Sequence, residues 1–168
     1  MVVRKRLDIE RPGLVFITTT VIEWQPIFLN DEIAIMTLKQ LSETIRYYNG
    51  SVGVYCLMPP HLHAIIKLNN LNSLSNVMGS FKSLSSRKIK GQFPNLFVNW
   101  PSPNGSFHFW KTRFDDFIIR NMKQLEIKMN YIHENPVKAE IVNRAEDYRY
   151  SSAIDWAGGK GLIEVIVV

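Results

Sequence analysis

Cys56-Leu57-Met58-Pro59-Pro60-His61-Leu62-His63-Ala64-Ile65-Ile66-Lys67-Leu68 joins two apolar runs through a proline pair, with two histidines just beyond it. In a β-strand, side chains alternate faces, so residues two apart stand side by side. Read as a strand, His61 to Leu68 points both imidazoles one way, with Ile65 and Lys67 in line. Leu62, Ala64, Ile66 and Leu68 then face a core. Val52 to Leu57 reads as a second strand, and the short proline connection favours an antiparallel pair. Two neutral imidazoles on one face make half of a metal site and need oxygen ligands from elsewhere in the chain.

Outward from this pair, residues 14–22 are β-branched and aromatic, as in a strand. A helix starts near Asn30-Asp31, carries Leu38, Leu41, Ile45 and Tyr48 at helical spacing, and closes at Asn49-Gly50. Leu74, Val77, Met78, Phe81 and Leu84 form a second helical stripe. Lys82, Arg87, Lys88 and Lys90 lie on its polar side or at its end. Residues 91–106 form a proline- and glycine-containing insert, either a structured flap or a mobile one. Phe107 to Phe114 alternates enough to predict a fourth strand. Asn121 and Gln124 resemble a capping box opening a last helix, with Met122, Leu125, Met129 and Ile132 as its buried stripe. Pro136 makes Asn135 the expected last residue. The tail holds Tyr148, Tyr150 and Trp156, and Leu162 to Val168 could add a strand. The order is βαββαβ plus a helix, an α+β ferredoxin-like antiparallel sheet. The histidines then occupy a central strand on the helix-free face.

The chain has 168 residues, 46% hydrophobic and 21% charged, as expected for one globular domain over 1–168. Its apolar runs fall well short of the ~18 residues that suggest a membrane span, so no membrane partner is expected. Met1 to Arg6 is basic without a following apolar signal core. A single cysteine, Cys56, excludes an internal disulfide and fits a reducing cytoplasm. The net charge of +5 suits a polyanion, nucleic acid first, and equally a modestly basic protein without one.

On the last helix Lys128, Tyr131 and Asn135 share one face. A phenol, an ammonium and an amide oxygen facing two imidazoles suit phosphoryl transfer to tyrosine. A phenol of pKa ~10 is a weak nucleophile until a cation or base helps remove its proton. A divalent metal on His61, His63 and the Asn135 oxygen could polarise a phosphate, and Lys128 could offset transition-state charge.

His-Leu-His resembles the histidine–hydrophobe–histidine signature of HUH endonucleases. Cys56-Leu57-Met58-Pro59, Phe109-Trp110-Lys111-Thr112-Arg113-Phe114-Asp115-Asp116 and Tyr131-Ile132-His133-Glu134-Asn135-Pro136-Val137-Lys138-Ala139 resemble the IS200-like transposase family. Together with Tyr148-Arg149-Tyr150-Ser151-Ser152, they look most like its REP-associated tyrosine transposase branch. The likeness runs from about residue 13 to 156. It implies a Mg²⁺- or Mn²⁺-dependent endonuclease that cleaves single-stranded DNA beside a hairpin through a covalent 5′-phosphotyrosine. By motif position Tyr131 is the nucleophile, and His61, His63 and Asn135 are metal ligands. The branch implies a monomer completing its own site, although a dimer with exchanged helices is the wider family's pattern. Such a protein would work in the cytoplasm, associated with the nucleoid. Pro60 stands where the family usually has Asn, and Glu140 where it usually has Gly.

Each residue also has a plainer reading. Asn before Pro often ends a helix, and a helical tyrosine is often half-buried. His133 lies away from Tyr131 and reads as structural, and His108 as a packed strand residue. Phe107, Phe109 and Trp110 could stack on bases, though core packing suits at least two of them. Lys82, Arg87, Lys88, Lys111 and Arg113 are candidate DNA contacts or solvated surface. The rival classes are a non-catalytic ferredoxin-like nucleic-acid module and an HUH nuclease of the replication-initiator or relaxase type. A tyrosine after the histidine pair, with Asn four residues later, argues against the last.

Overall fold

The computed structural model describes residues 9–166. The basic stretch Met1 to Arg6 lies outside them. Strand β1 (Gly13–Thr20) leads through short 3-10 turns into helix α1 (Asp31–Tyr47). Strands β2 (Ser51–Met58) and β3 (His61–Leu68) precede helix α2 (Leu74–Gln92), strand β4 (Asp115–Ile119) and helix α3 (Met122–Lys138). A short helix, α4 (Ala153–Trp156), lies in the tail. The sheet order is β2-β3-β1-β4, with every pair antiparallel, which is the ferredoxin-like arrangement. The proposed α+β class is the observed one.

Asn30 starts α1 by accepting the Ile33 N–H, relieving one orphan donor of the first turn. Asn49 ends it in the left-handed region (φ 56°), and Gly50 returns its N–H to Ile45 O. A side chain at Gly50 would meet the Lys67 carbonyl at 2.6 Å, so the close approach of α1 to β3 requires glycine there. Val15, Ile17, Leu62, Ala64 and Ile66 share a core with Leu38, Leu41, Val77 and Phe81 of α1 and α2.

The other sheet face is not helix-free. Phe16, Val54, Cys56, Met58 and Ile65 pack against Leu125 and Ile132 of α3 and Tyr148 of the tail. Alternation alone would put Val52 and Val54 on one face, but a register shift at Gly53 sends Val52 to the first core and Val54 to the second. Trp156 Nε1 donates to the displaced Gly53 carbonyl at 3.1 Å.

The fourth strand is Asp115–Ile119, not 107–114. Phe109 and Trp110 are sequence neighbours, yet both are buried, so the aromatic run does not alternate. Trp110 makes an isolated bridge to Val21 and donates Nε1 to Ser85 Oγ at 3.0 Å. Asp115-Asp116 begin an edge strand whose outer side is exposed, a place where charge is tolerated. Residues 91–106 are a structured segment, with Trp100 stacked on Phe109 at 5.6 Å. Leu84 is partly exposed, and Ser85 takes the buried place expected of it. Met122, in the first turn of α3, is also exposed, so the stripe begins at Leu125.

The expected added strand at Leu162 to Val168 is absent over the described residues, where Ile166 N–H reaches the β2 backbone at Val52 O and Leu162 N–H donates to the Tyr55 hydroxyl. The β2 edge is taken instead by residues 150–152. Leu57 N–H donates to Tyr150 O at 2.8 Å, and Ser152 N–H to Tyr55 O at 2.9 Å. Among the described residues, no helix is long and apolar enough to cross a membrane.

Helix α3 also continues past Asn135. Pro136 is buried inside it, and Ala139 N–H bonds to Asn135 O at 3.0 Å. The end is a Schellman motif: Glu140 N–H reaches Val137 O and Ile141 N–H reaches Pro136 O. Glu140 is left-handed (φ 57°), which explains glycine as the family's usual residue there in terms of backbone rather than charge. Replacing Glu140 by Gly should stabilise the fold by about 1 kcal/mol, read as a higher urea midpoint at unchanged slope.

Candidate functional site

Antiparallel pairing sets His63 opposite Thr18 and Cys56, and His61 opposite Thr20 and Met58. The imidazole centroids are 4.6 Å apart. Thr18 Oγ1 lies 2.7 Å from His63 Nδ1 and fixes that ring's orientation. His61 Nδ1 is buried without a hydrogen-bond partner. Burial, then the charges of His61 and Lys128, push His63 down to about 3. Burial also lowers His61. Both rings are therefore neutral at neutral pH and keep lone pairs for a cation.

Helix α3 brings its polar face over the same end of the sheet. The Tyr131 ring is edge-on to His63 at 5.2 Å and to Phe16 at 6.0 Å, and it remains 44% exposed. Lys128 Nζ sits 4.5 Å from the Phe16 ring centroid and 5.0 Å from that of Phe117. Asn135 Nδ2 points at the Tyr131 carbonyl at 3.4 Å, which leaves Oδ1 as the amide atom suited to a metal. Phe16, Thr18, Trp24, His61, His63, Asp115, Lys128, Tyr131 and Asn135 line one open pocket of about 540 Å³. The five residues expected at the reaction centre thus meet within a single chain.

Among the described residues, no three His, Cys, Asp or Glu side chains cluster to hold a metal. Any cation here would rest on the imidazole pair and an amide oxygen. These residues fit one, because a buried ring nitrogen lacking a partner is the donor a cation would satisfy.

Four members of the pocket, Phe16, Thr18, Trp24 and Asp115, are not among the residues the sequence singles out for the site. Asp115 lies just beyond the aromatic run that alternation favours as the fourth strand, and in the observed register it opposes Thr18. Trp24 belongs to a turn whose conformation no periodicity announces.

The candidate DNA contacts separate. Lys82, Arg87 and Lys111 border a second cleft of about 520 Å³ together with Lys90. Lys82 is already committed: its ammonium donates to the Lys111, Thr112 and Arg113 carbonyls at 2.8, 3.2 and 3.2 Å. Burial lowers it to about 8. Lys88 pairs with Glu43 at 3.0 Å, and neither it nor Arg113 lines either pocket. His108 is exposed and off the sheet, so it is not a packed strand residue. Phe109 and Trp110 are core.

His133 is structural, as expected. It is buried, and its Nε2 lies 2.9 Å from Ser152 Oγ, which accepts the Tyr55 N–H.

The structure thus brings an imidazole pair on a central strand of a four-stranded antiparallel sheet together with a helical tyrosine. The family model described as Transposase IS200 like matches residues 17–135, and the chain belongs to that family. The REP-associated tyrosine transposase of Escherichia coli K12 is 29% identical over 117 residues, covering 64% of this chain and 62% of that protein. A Haemophilus influenzae protein, provisionally named a REP-associated tyrosine transposase, is 26% identical over 148 residues, covering 88% and 83%. The solved structure of a REP-associated tyrosine transposase bound to a REP hairpin superposes with a TM-score of 0.74 at 20% identity. It covers 100% of this chain and 94% of that one, which supports the fold.

Burial pushes His133 down to about 4 from an ordinary value of 6.5. Between those values the unfolded chain takes up a proton that the native ring refuses, so stability is full above 6.5 and falls as pH drops toward 4. The His133→Gln variant should lose about 2–3 kcal/mol less than the parent between pH 7 and 4.5, measured by urea unfolding.

Proposed function

We propose that this chain is a single-tyrosine transposase that cuts and rejoins single-stranded DNA beside a hairpin. Tyr131 Oη attacks the scissile phosphorus and loses its proton. The bond to the 3′ oxygen breaks, that oxygen takes up a proton, and DNA is left joined to Tyr131 through its 5′-phosphate. The observation carrying this reading is the 5.2 Å approach of the Tyr131 and His63 rings inside one pocket. Lys128 lines that pocket and would offset charge on the pentacoordinate phosphorus. His61, His63 and Asn135 would hold Mg²⁺ or Mn²⁺, with water completing the oxygen shell. When bound, the cation would supply Lewis-acid polarisation of the phosphate.

The relatives' names, and the neighbour solved on a REP hairpin, support this substrate class. Arg87 and Lys90 in the second cleft suit the hairpin's phosphates, and Lys82 would act by holding the Lys111–Arg113 backbone in place. We place the protein at the nucleoid, as a monomer that completes its own site.

Incubated with a single-stranded hairpin oligonucleotide and Mn²⁺ or Mg²⁺, the protein should form an SDS-stable adduct. Tyr131→Phe should remove the adduct and slow cleavage at least about 10³-fold while leaving binding intact. EDTA or His63→Ala should also stop cleavage, with Asn135→Ala costing about tenfold because water can fill an oxygen position. A binding-only module would give no adduct under any condition.

Mixing His63→Ala with Tyr131→Phe protein tests whether the site is built in cis. Cleavage should stay absent; restored cutting would mean that α3 is exchanged between subunits.

A further inference from the structure

Trp24 has no part in the chemistry above, yet it lines the pocket. It is 56% exposed, an unusual setting for so large an apolar ring beside the half-buried His61 and the buried His63. Its centroid is 5.8 Å from that of His61, in an edge-to-face arrangement. Lys111 Nζ lies 4.6 Å from the same ring.

The backbone beneath it is strained and tied down. Glu23 (φ 49°) and Trp24 (φ 56°) are consecutive left-handed residues, and neither is glycine. Trp24 N–H donates to Val21 O at 3.1 Å and Ile22 N–H to Phe109 O at 2.9 Å. Val21 N–H and Phe28 N–H donate to Pro60 O and Pro59 O, the turn that leads directly into His61. The surrounding structure thus holds an unfavourable turn whose outcome is an aromatic plate at the histidine pair. Core packing does not account for it, because the ring is largely in solvent.

We propose that Trp24 is a nucleobase-stacking subsite, taking one unpaired base next to the phosphate that Tyr131 attacks, with Lys111 on that nucleotide's phosphate. The proposal rests on the reading of the pocket as a single-stranded DNA site. Stacking on an indole tolerates any base, so the subsite positions the strand without reading its sequence. Lys111 is already at the ring, and a bound phosphate offers its ammonium a stronger partner than the indole face. The Lys82 ammonium, held on the Lys111, Thr112 and Arg113 carbonyls, keeps that cation in reach.

The test uses a fluorescent hairpin oligonucleotide with a short oligothymidine flank, and its affinity read by anisotropy in a Tyr131→Phe background that leaves DNA uncut. Adding Trp24→Leu should weaken binding about 5- to 100-fold, and Trp24→Phe should retain most of it. Abasic sites are then moved along the flank. One position should weaken the Trp24 protein by a similar factor and cost the Trp24→Leu protein nothing. Equal abasic penalties in both proteins, or Trp24→Leu binding within twofold of its parent, would overturn the subsite alone. Failure of the Trp24 protein to bind the flanked hairpin at all would overturn the DNA reading and the subsite with it.

Discussion

The seating of α3 across the histidine-bearing face is the constraint on which the rest depends. Leu125 and Ile132 pack onto Phe16, Val54, Cys56 and Ile65, and burial of such side chains is worth roughly 1.5–3 kcal/mol each. The helix leaves β4 at one sheet edge, and the chain after it returns at residues 150–152 to β2, the other edge. It is a strap fastened at both margins. His133, Ser152 and Tyr55 form its second fastening, beneath the helix. Covering one end of the face and leaving the other open yields a pocket whose floor is sheet and whose wall carries the phenol.

The electrostatics follow from this half-cover. His63 is buried deeply enough to stay neutral, and a fixed cation, Lys128, stands nearby on the faces of Phe16 and Phe117 rather than on a carboxylate. An ammonium held by aromatic faces keeps more of its charge available to an incoming phosphate than one neutralised by an acid. Among the described residues no carboxylate forms an ion pair with Lys128, whose charge stays at the pocket wall. Asp115 lines it from the far edge strand.

Much of this was legible in the sequence where periodicity is strong. The β1, β2 and β3 strands, α1, and the shared face of Lys128, Tyr131 and Asn135 follow from alternation and helical spacing. The sheet order follows from the succession of elements. The fourth strand was not legible: a run of aromatics outweighed Asp115-Asp116, whose charges are compatible with an edge that neighbours do not enclose. Asn135-Pro136 looked like a helix end because a residue before proline avoids the helical region, but burial of the proline ring and a left-handed terminus four residues on carry the helix past it. The commitments of Lys82 and Lys88 were invisible, since composition counts cations without saying which already have partners. Trp24 was invisible for a deeper reason, because a turn with positive φ at two ordinary residues is dictated by what surrounds it.

The tail strand on β2 bears on how this protein behaves beside its own copies. A sheet margin with unpaired N–H and C=O groups is a template for another chain's strand. Here Tyr150 O and Ser152 N–H occupy the ladder positions of Leu57 and Tyr55, while the opposite margin begins with two aspartates. Neither side invites a sheet to grow from one molecule into the next. Copies held close together do not knit into a filament through these margins, and the residues that close the β2 margin belong to the same tail that anchors the tyrosine helix.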